Sequence, residues 1–260
     1  MRILTWNVNS IRLRLEQLRR LNALWSPDVL CLQETKVDDP LFPKEALAAL
    51  GFTHQAIWGM KSYNGVAIAA KLPLTDVQTK AWCGRQDCRH LMAQINGIQL
   101  HCLYVPAGGD IPDPALNEKF AHKLAFLDEI ALWFAGLDAA RPMAVLGDFN
   151  VAPLPTDVWS HKQMLKVVSH TPVEVARLDA FQASLGWVDA VRHFIPPEEQ
   201  LYSWWSYRAA DWAASNRGRR LDHIWVTKSL LPRLRQALVL RDTRSWQPPS
   251  DHVPVMVEIA

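Results

Sequence analysis

Polar and charged residues stand at the ends of predicted buried strands in six separate segments of the sequence. These residues are Asn7, Glu34, Tyr104, the pair Asp148 and Asn150, Asp222, and the pair Asp251 and His252. Strand ends are rigid, so a site that is built there keeps its geometry. A single residue of this kind would be explained by a turn, because Asp and Asn are common turn formers. Six together indicate a functional site.

The residue types in this set are suited to the hydrolysis of a phosphodiester bond. Carboxylates and asparagine carbonyls are hard oxygen ligands, which Mg²⁺ prefers, and the set lacks the soft ligands that favour zinc or iron. His252, beside Asp251, offers a positive partner for an anionic substrate oxygen. Tyr104 and Asn150 can donate hydrogen bonds to a phosphate. The reaction needs a cation, such donors, and a carboxylate that positions water.

Hydrophobic periodicity predicts the strands and helices that must position these residues. Strands are predicted at Arg2–Asn7, Asp28–Leu32, Phe52–Trp58, Gly65–Ala70, Leu91–Ile95, Ile98–Tyr104, Met143–Leu146, Leu221–Thr227, Ala237–Leu240 and Val253–Ile259. Helices are predicted over Ile11 to Leu21 with Ser10 as N-cap, and over Lys44–Leu50, Phe120–Phe134 and Pro172–Leu185. Asn96-Gly97 predicts a tight hairpin. The pattern predicts an α/β fold, a four-layered sandwich of two packed mixed β-sheets flanked by helices, with residues 1–260 as one domain.

Positive and negative charges nearly balance over the whole chain, but the positive charges are concentrated in one segment. The net charge is +2, whereas the segment from Leu201 to Arg244 carries nine Lys or Arg and three Asp. A basic stripe suits a polyanionic partner. On charge alone, a solvated face explains the same segment equally well.

The four cysteines favour reduced thiols over a disulfide or a zinc site. Cys83 and Cys88 are separated by four residues and lie near His90, but no second cysteine pair follows to complete a zinc site. A chain of this length does not need disulfide staples. No apolar run has the length of a membrane span, and no targeting signal is evident, so we expect a cytoplasmic monomer that does not bind membranes.

Eight motifs in order resemble the exonuclease III family of AP endonucleases, within the endonuclease/exonuclease/phosphatase superfamily. They are TWNVNSIR from Thr5, LQETK from Leu32, YNGVAI from Tyr63, YVP from Tyr104, LGDFN from Leu146, YSWWSYR from Tyr202, NRGRRLDHI from Asn216 and PSDHVPV from Pro249. The resemblance spans nearly the whole chain. It implies a DNase I-like fold and a Mg²⁺-dependent nuclease, with Mn²⁺ as an alternative cation. The implied partner is double-stranded DNA that carries abasic sites or 3′ ends.

The resemblance also implies a role for each residue of the reaction centre. Glu34 is the principal metal ligand, and Asn7 and Asp251 lie close to the metal. Asp148 orients or deprotonates the attacking water, while Asn150 and Tyr104 contact the phosphate. His252 binds a phosphate oxygen, and Asp222 accepts the other ring hydrogen of His252. The products would be a 3′-hydroxyl and a 5′ deoxyribose phosphate.

A second group of residues matches the substrate-binding positions of the family. Trp204 packs against a flipped, baseless sugar, with Leu221 beside it, and Trp205 belongs to the core. Arg208 inserts into the duplex, and Arg219 contacts phosphates. Extrusion costs least where no base is stacked, so this pocket would select abasic sites. Asn9 matches a position where some members carry an acid that assists the metal.

Two positions depart from the family pattern. Ala107 stands where members often have an Asn or Gln that donates to phosphate. Arg219 stands where some members have a tryptophan that forms the pocket, which would open the pocket or shift the balance between endonuclease and 3′ exonuclease activity.

Structural roles are an alternative for several of these residues, and two other functions also remain open. Asn7 and Asn9 can cap a helix, and Asp222 and Tyr104 can be buried structural residues. His252 can be a surface histidine, and Trp204 can be a core tryptophan. One functional alternative is a phosphoesterase of the same superfamily that acts on inositol phosphates or sphingomyelin. The other is a DNA-binding member without activity, which the presence of Glu34 argues against.

Overall fold

The structure, a computed structural model that describes residues 1–209 and 211–260, consists of fourteen strands and six α-helices in the described part. The strands are β1 (Arg2–Asn7), β2 (Val29–Gln33), β3 (His54–Trp58), β4 (Val66–Ala70), β5 (Thr75–Thr79), β6 (His90–Ile95), β7 (Ile98–Tyr104), β8 (Met143–Asp148), β9 (Val188–Asp189), β10 (Trp204–Trp205), β11 (Gly218–Arg219), β12 (Asp222–Val226), β13 (Leu234–Val239) and β14 (Val255–Ile259). The helices are α1 (Leu15–Trp25), α2 (Lys44–Ala49), α3 (Glu118–Ala135), α4 (His161–Met164), α5 (Pro172–Ser184) and α6 (Trp212–Ser215).

Two six-stranded mixed sheets contain all of these strands except β10 and β11, which pair with each other. The first sheet has the order β13-β14-β1-β2-β4-β3, and the second has the order β5-β6-β7-β8-β12-β9. Each sheet contains one parallel pair, β1 with β2 and β7 with β8. The mixed sheets that were expected from the sequence are confirmed.

Side chains alternate between the two faces of each sheet and so build separate cores. Ile3 points into the core between the two sheets, and the next residue, Leu4, packs under α1 and α2. On the outer face of the second sheet, Val145 packs against Phe126 of α3 and Phe181 of α5. The layers therefore run helix, sheet, sheet, helix, as predicted.

Local signals account for several boundaries. Asn96 and Gly97 both have positive φ, at 48° and 76°, and they join β6 to β7 with Ile95 opposite Ile98, so the predicted hairpin is confirmed. Helix α5 begins at a capping box, in which the Thr171 side chain accepts from the Glu174 amide and the Glu174 side chain accepts from the Thr171 amide.

The prediction of Ser10 as the N-cap of the first helix is wrong. Ser10 has φ 87°, and its side chain makes no capping hydrogen bond; a short 3₁₀ turn, Ile11–Leu13, separates it from α1. The Ser10 amide donates instead to the Glu34 carbonyl at 2.8 Å, which ties the loop after β1 to the loop after β2. No helix among the described residues is long and apolar enough to cross a lipid bilayer.

Candidate active site

Strand register brings the predicted polar residues of both sheets to one edge of the sandwich. Asn7 pairs with Gln33 in the parallel register of β1 and β2, so Glu34 follows immediately beside it. Tyr104 pairs with Asp148 where β7 and β8 end. Strand β12 runs antiparallel to β8, so its first residue, Asp222, lies opposite Asp148.

Asn7 joins the two sheets at this edge. Its amide nitrogen donates to Glu34 Oε1 at 2.9 Å and to Asp148 Oδ2 at 2.9 Å. The Tyr104 hydroxyl also donates to Glu34 Oε1, at 2.8 Å. Asn7 and Tyr104 are buried, and both orient Glu34 in this structure. Their hydrogen bonds fix the two carboxylates relative to each other across the sheet interface.

The backbone that carries Asp148 requires a glycine before it. Gly147 has φ 150°, and a Cβ at this position would lie 1.8 Å from the Leu103 carbonyl oxygen. Strands β7 and β8 therefore approach too closely for any side chain here. Asn150 and Glu34 adopt left-handed backbone conformations, with φ 54° and 52°. Such conformations cost about 1–3 kcal/mol each for residues other than glycine and cluster at functional sites.

His252 lies between two buried aspartates. Its Nδ1 is 2.9 Å from Asp222 Oδ2, and its Nε2 is 3.6 Å from Asp148 Oδ2. The Ser203 hydroxyl donates to the same Asp222 oxygen at 2.6 Å. Burial disfavours the imidazolium, but the charges of Asp222 and Asp148 outweigh it and raise the pKa of His252 to about 10. The ring is therefore positively charged at neutral pH.

The surroundings of Asp148 disfavour its charged form, whereas those of His252 favour the charged imidazolium. Burial is the main cause that raises the pKa of Asp148 to about 7; the His252 imidazolium lowers it, and the charge of Asp222 adds to the rise. A carboxyl group whose pKa lies near neutral is well matched to proton transfer from water. Asn150 is held next to it, since its amide nitrogen donates to Asp148 Oδ2 at 3.1 Å and to the Val105 carbonyl at 2.9 Å.

The oxygen-rich corner around Glu34 fits a divalent cation. Burial alone would raise the pKa of Glu34, but the Lys36 charge and the Asn7 hydrogen bond hold it below its usual value. The Lys36 ammonium lies 2.7 Å from Glu34 Oε2 and 2.5 Å from Asn9 Oδ1, and the Asn9 amide nitrogen is 3.2 Å from Asp251 Oδ1. Carboxylate and amide oxygens already surround one positive charge here, and hard cations prefer these donors.

Asp148, Asp222 and His252 also have potential ligand atoms within 4.8 Å of one another. A protonated imidazole has no free lone pair for a metal ion. Because the His252 Nδ1 pairs with Asp222 Oδ2 at 2.9 Å, the ring and this carboxylate are already partners of each other in this second group.

Eight of the predicted residues line one cavity of about 270 Å³. They are Glu34, Asp148, Asn150, Trp204, Arg219, Leu221, Asp251 and His252. Asn7, Tyr104 and Asp222 lie behind this wall, and Asn9 lies beside Asp251. Arg208 is exposed and is not among the cavity residues.

The short antiparallel strands β10 and β11 build one wall of the cavity. Trp204 of β10 pairs with Arg219 of β11, and the Trp204 indole nitrogen donates to Asp251 Oδ2 at 3.0 Å. The Arg219 guanidinium carbon lies 4.8 Å from the centre of the Trp204 ring. Arg219 therefore lines the pocket wall in place of an aromatic ring. Trp205, in contrast, is buried in a separate core cluster, as expected.

The structure adds residues that the sequence reasoning missed. Ser203 orients Asp222, and the sequence offered no signal for it beyond its place in a matched motif. Lys36, in the LQETK motif, was not considered as a partner of Glu34. Lys123 is fully buried and donates to the Asn150 carbonyl at 2.8 Å. Its position three residues after Phe120, on the apolar side of α3, was a usable signal.

Comparisons with known proteins identify the family and the fold of the chain. A model of the endonuclease/exonuclease/phosphatase family matches residues 4–252. The exodeoxyribonuclease III of Haemophilus influenzae is 29% identical over 277 aligned positions, covering 99% of each chain. The structure of an AP endonuclease from Archaeoglobus fulgidus is 32% identical with a TM-score of 0.92, covering 100% of this chain and 99% of that one. A 3′ phosphatase from Neisseria, bound to a product DNA hairpin, is 31% identical with a TM-score of 0.92 and the same coverage.

Proposed function

The chain belongs to the endonuclease/exonuclease/phosphatase family, and on that premise we propose that it is a DNA-repair nuclease of the exonuclease III type. It hydrolyses the phosphodiester bond on the 5′ side of an abasic site, and it removes nucleotides or blocking groups from 3′ ends. The observation that carries this proposal is the cavity in which Glu34, Asp148 and His252 meet. A relative bound to product DNA and an exodeoxyribonuclease relative support DNA as the substrate.

The proposed reaction is in-line attack of water on phosphorus. Asp148 accepts the proton of the attacking water, which its raised pKa permits at neutral pH. The His252 imidazolium binds a non-bridging phosphate oxygen, and Asp222 keeps the ring charged and oriented. The bond from phosphorus to the 3′ oxygen breaks and this oxygen takes a proton from solvent, which leaves a 3′-hydroxyl on one fragment and a 5′ phosphate on the other.

Glu34 and Asp251 would hold Mg²⁺, or Mn²⁺ in its place, with the amide groups of Asn7 and Asn9 close by. When bound, the cation would neutralise charge that develops on the phosphate and the leaving oxygen. Asn150 orients Asp148 through its amide nitrogen and presents the rest of its side chain to the cavity. Tyr104 orients Glu34 through its hydroxyl, and we propose that the same hydroxyl contacts the scissile phosphate.

Trp204 and Leu221 provide apolar walls for a sugar that has lost its base. A cavity of about 270 Å³ restricts the size of the group that enters it. Exposed Arg208 stays our candidate for insertion into the duplex, because a side chain outside the cavity is free to contact the groove. Arg217 adds an exposed positive charge 4.7 Å over the ring of Trp159.

The remaining features of the proposal concern the whole protein. Both sheets contribute residues to the site, so we propose that residues 1–260 act as one domain. We further propose that the protein acts as a monomer, because residues of a single chain line the cavity. Its proposed substrate is chromosomal DNA in the cytoplasm.

The test is a duplex with one tetrahydrofuran abasic-site analogue, labelled at its 5′ end and incubated with Mg²⁺, with Mn²⁺ or with chelator. The proposal predicts metal-dependent incision at that single site. A ladder that shortens from the 3′ end would indicate that exonuclease activity dominates. No product with either metal would contradict the proposal and favour a DNA-binding protein or another phosphoesterase.

A further inference from the structure

Arg219 carries a positive charge that no carboxylate balances within residues 1–209 and 211–260. Its Nη1 donates to the Ser169 hydroxyl at 2.9 Å and to the Val168 carbonyl at 3.2 Å, and both acceptors are neutral. Its Nε is buried without a partner. The next residue, Arg220, shows the contrast, because it forms an ion pair with Asp189 and lies 3.6 Å from Asp157.

Two acids near Arg219, Glu174 and Asp251, already have other partners. Glu174 pairs with the buried Lys123 at 2.5 Å. Asp251, on the other side of Trp204, accepts hydrogen bonds from the Trp204 indole and from Asn9. Burial lowers the pKa of Arg219, although the charge of Glu174 raises it in part. A partly buried charge is stabilised by an opposite charge, and an anionic ligand in the cavity would supply one.

The guanidinium is also held in a fixed orientation. Its carbon lies 4.8 Å from the Trp204 ring centre, in the range of a cation–π contact, and its hydrogen bonds to Val168 and Ser169 fix one end. Arg219 and Trp204 line the same cavity as Asp148 and His252. A ligand whose phosphorus lies between Asp148 and His252 therefore occupies the same cavity as Arg219, and a substituent that stays on phosphorus can lie against the guanidinium.

We propose that Arg219 is a specificity-determining residue that favours DNA 3′ ends whose phosphate carries a short anionic remnant, and that it pairs with the carboxylate of a 3′-phosphoglycolate. This inference rests on the proposed function, since the scissile phosphate occupies the reaction centre. His252 binds the phosphate, and Arg219 binds the second anion beyond it. A guanidinium binds a carboxylate through two parallel hydrogen bonds when its geometry allows.

The reaction is the hydrolysis already described. The water oxygen forms a bond to phosphorus, and the bond from phosphorus to the DNA 3′ oxygen breaks. One water proton goes to Asp148, and the 3′ oxygen takes a proton from solvent. The products are a DNA 3′-hydroxyl and free phosphoglycolate, so no oxidant or other reactant is needed.

The experiment compares kcat/KM for two duplexes that differ only in the remnant, a 3′-phosphoglycolate and its uncharged amide, 3′-phosphoglycolamide. The wild-type protein should prefer the glycolate by about tenfold to a hundredfold, the range of a hydrogen bond to a charged group. In Arg219→Gln, which keeps the hydrogen-bonding capacity but loses the charge, the preference should fall to about one. Arg219→Lys keeps the charge without the planar stack and should retain part of the preference.

Each outcome bears on the proposal. Equal rates of the wild-type protein on the two remnants would overturn it, whatever the variants do. If Arg219→Gln keeps the wild-type preference for the glycolate, with or without the same result in Arg219→Lys, another residue causes the preference and the proposal is overturned. Incision of the tetrahydrofuran duplex with equal remnant rates would refute only the role of Arg219. Failure on all three substrates would refute the proposed function as well.

Discussion

Replacement of Lys123 by Met should destabilise the protein by about 3 kcal/mol, the low end of the range for breaking a buried ion pair. The ammonium is fully buried, lies 2.5 Å from Glu174 Oε1, and donates to the Asn150 carbonyl at 2.8 Å. Methionine has similar length but no charge, so Glu174 would keep a buried negative charge without its cation. Glu174 would still accept from the amide and hydroxyl of Thr171, which limits the cost.

In a protein of this size, 1 kcal/mol corresponds to about 2–4 °C, so the melting temperature should fall by roughly 6–12 °C. Urea denaturation followed by circular dichroism measures the free energy of unfolding, and thermal denaturation checks the shift. Lys119→Met, an exposed position on the same helix, is the matched control and should change stability by less than about 0.5 kcal/mol. The double variant Lys123→Met with Glu174→Gln removes both charges and should be more stable than Lys123→Met alone.

Two results would refute this reasoning. A loss below about 1 kcal/mol in Lys123→Met would mean that the ion pair is not closed in solution or that water reaches it. A double variant no more stable than the single one would mean that the cost comes from packing around the methionine and not from the unpaired Glu174.

Three further predictions follow from other parts of the fold. Gly147→Ala should prevent soluble expression or lower stability by several kcal/mol, because its Cβ would lie 1.8 Å from the Leu103 carbonyl; a stable variant would contradict the close strand approach. Asp222→Asn should lower the single-turnover cleavage rate at least about 100-fold by removing the charge beside His252, with DNA binding retained; a wild-type rate would exclude that role. Burial lowers the pKa of His101 to about 3, below its unfolded value near 6.5, so stability is full above pH 6.5 and falls as acid protonates the unfolded chain. His101→Gln should reduce the slope of stability against pH by up to about 1.4 kcal/mol per pH unit between pH 6 and 4, and an unchanged slope would show that this histidine is not buried neutral.

The clustering of the candidate site residues was predictable from the sequence because these residues stand at strand ends. A carboxylate directly after an apolar strand, as at Glu34 and Asp148, has few structural explanations, and the register of paired strands then brings such residues together. The four layers of the sandwich were also predictable from the sequence. The pattern of apolar side chains along each strand and helix determines which faces of these elements are buried.

Other features depend on contacts between distant segments, which no local pattern contains. The pairing of Arg219 with Ser169 joins residues 50 positions apart, and the Lys123–Glu174 pair joins residues 51 positions apart. Strand β5 was not predicted because all of its residues are exposed at a sheet edge, so it lacks the alternation that identifies strands.

The most direct test of the central claim compares wild-type protein with Asp148→Asn on the duplex that carries one abasic-site analogue, under single-turnover conditions with Mg²⁺. The substitution preserves the shape of the side chain and removes the carboxylate that accepts the proton. The account predicts a loss of cleavage of about 100-fold to 10,000-fold, with DNA affinity by fluorescence anisotropy nearly unchanged. Cleavage by Asp148→Asn at the wild-type rate would contradict the assignment of Asp148 as the residue that activates water.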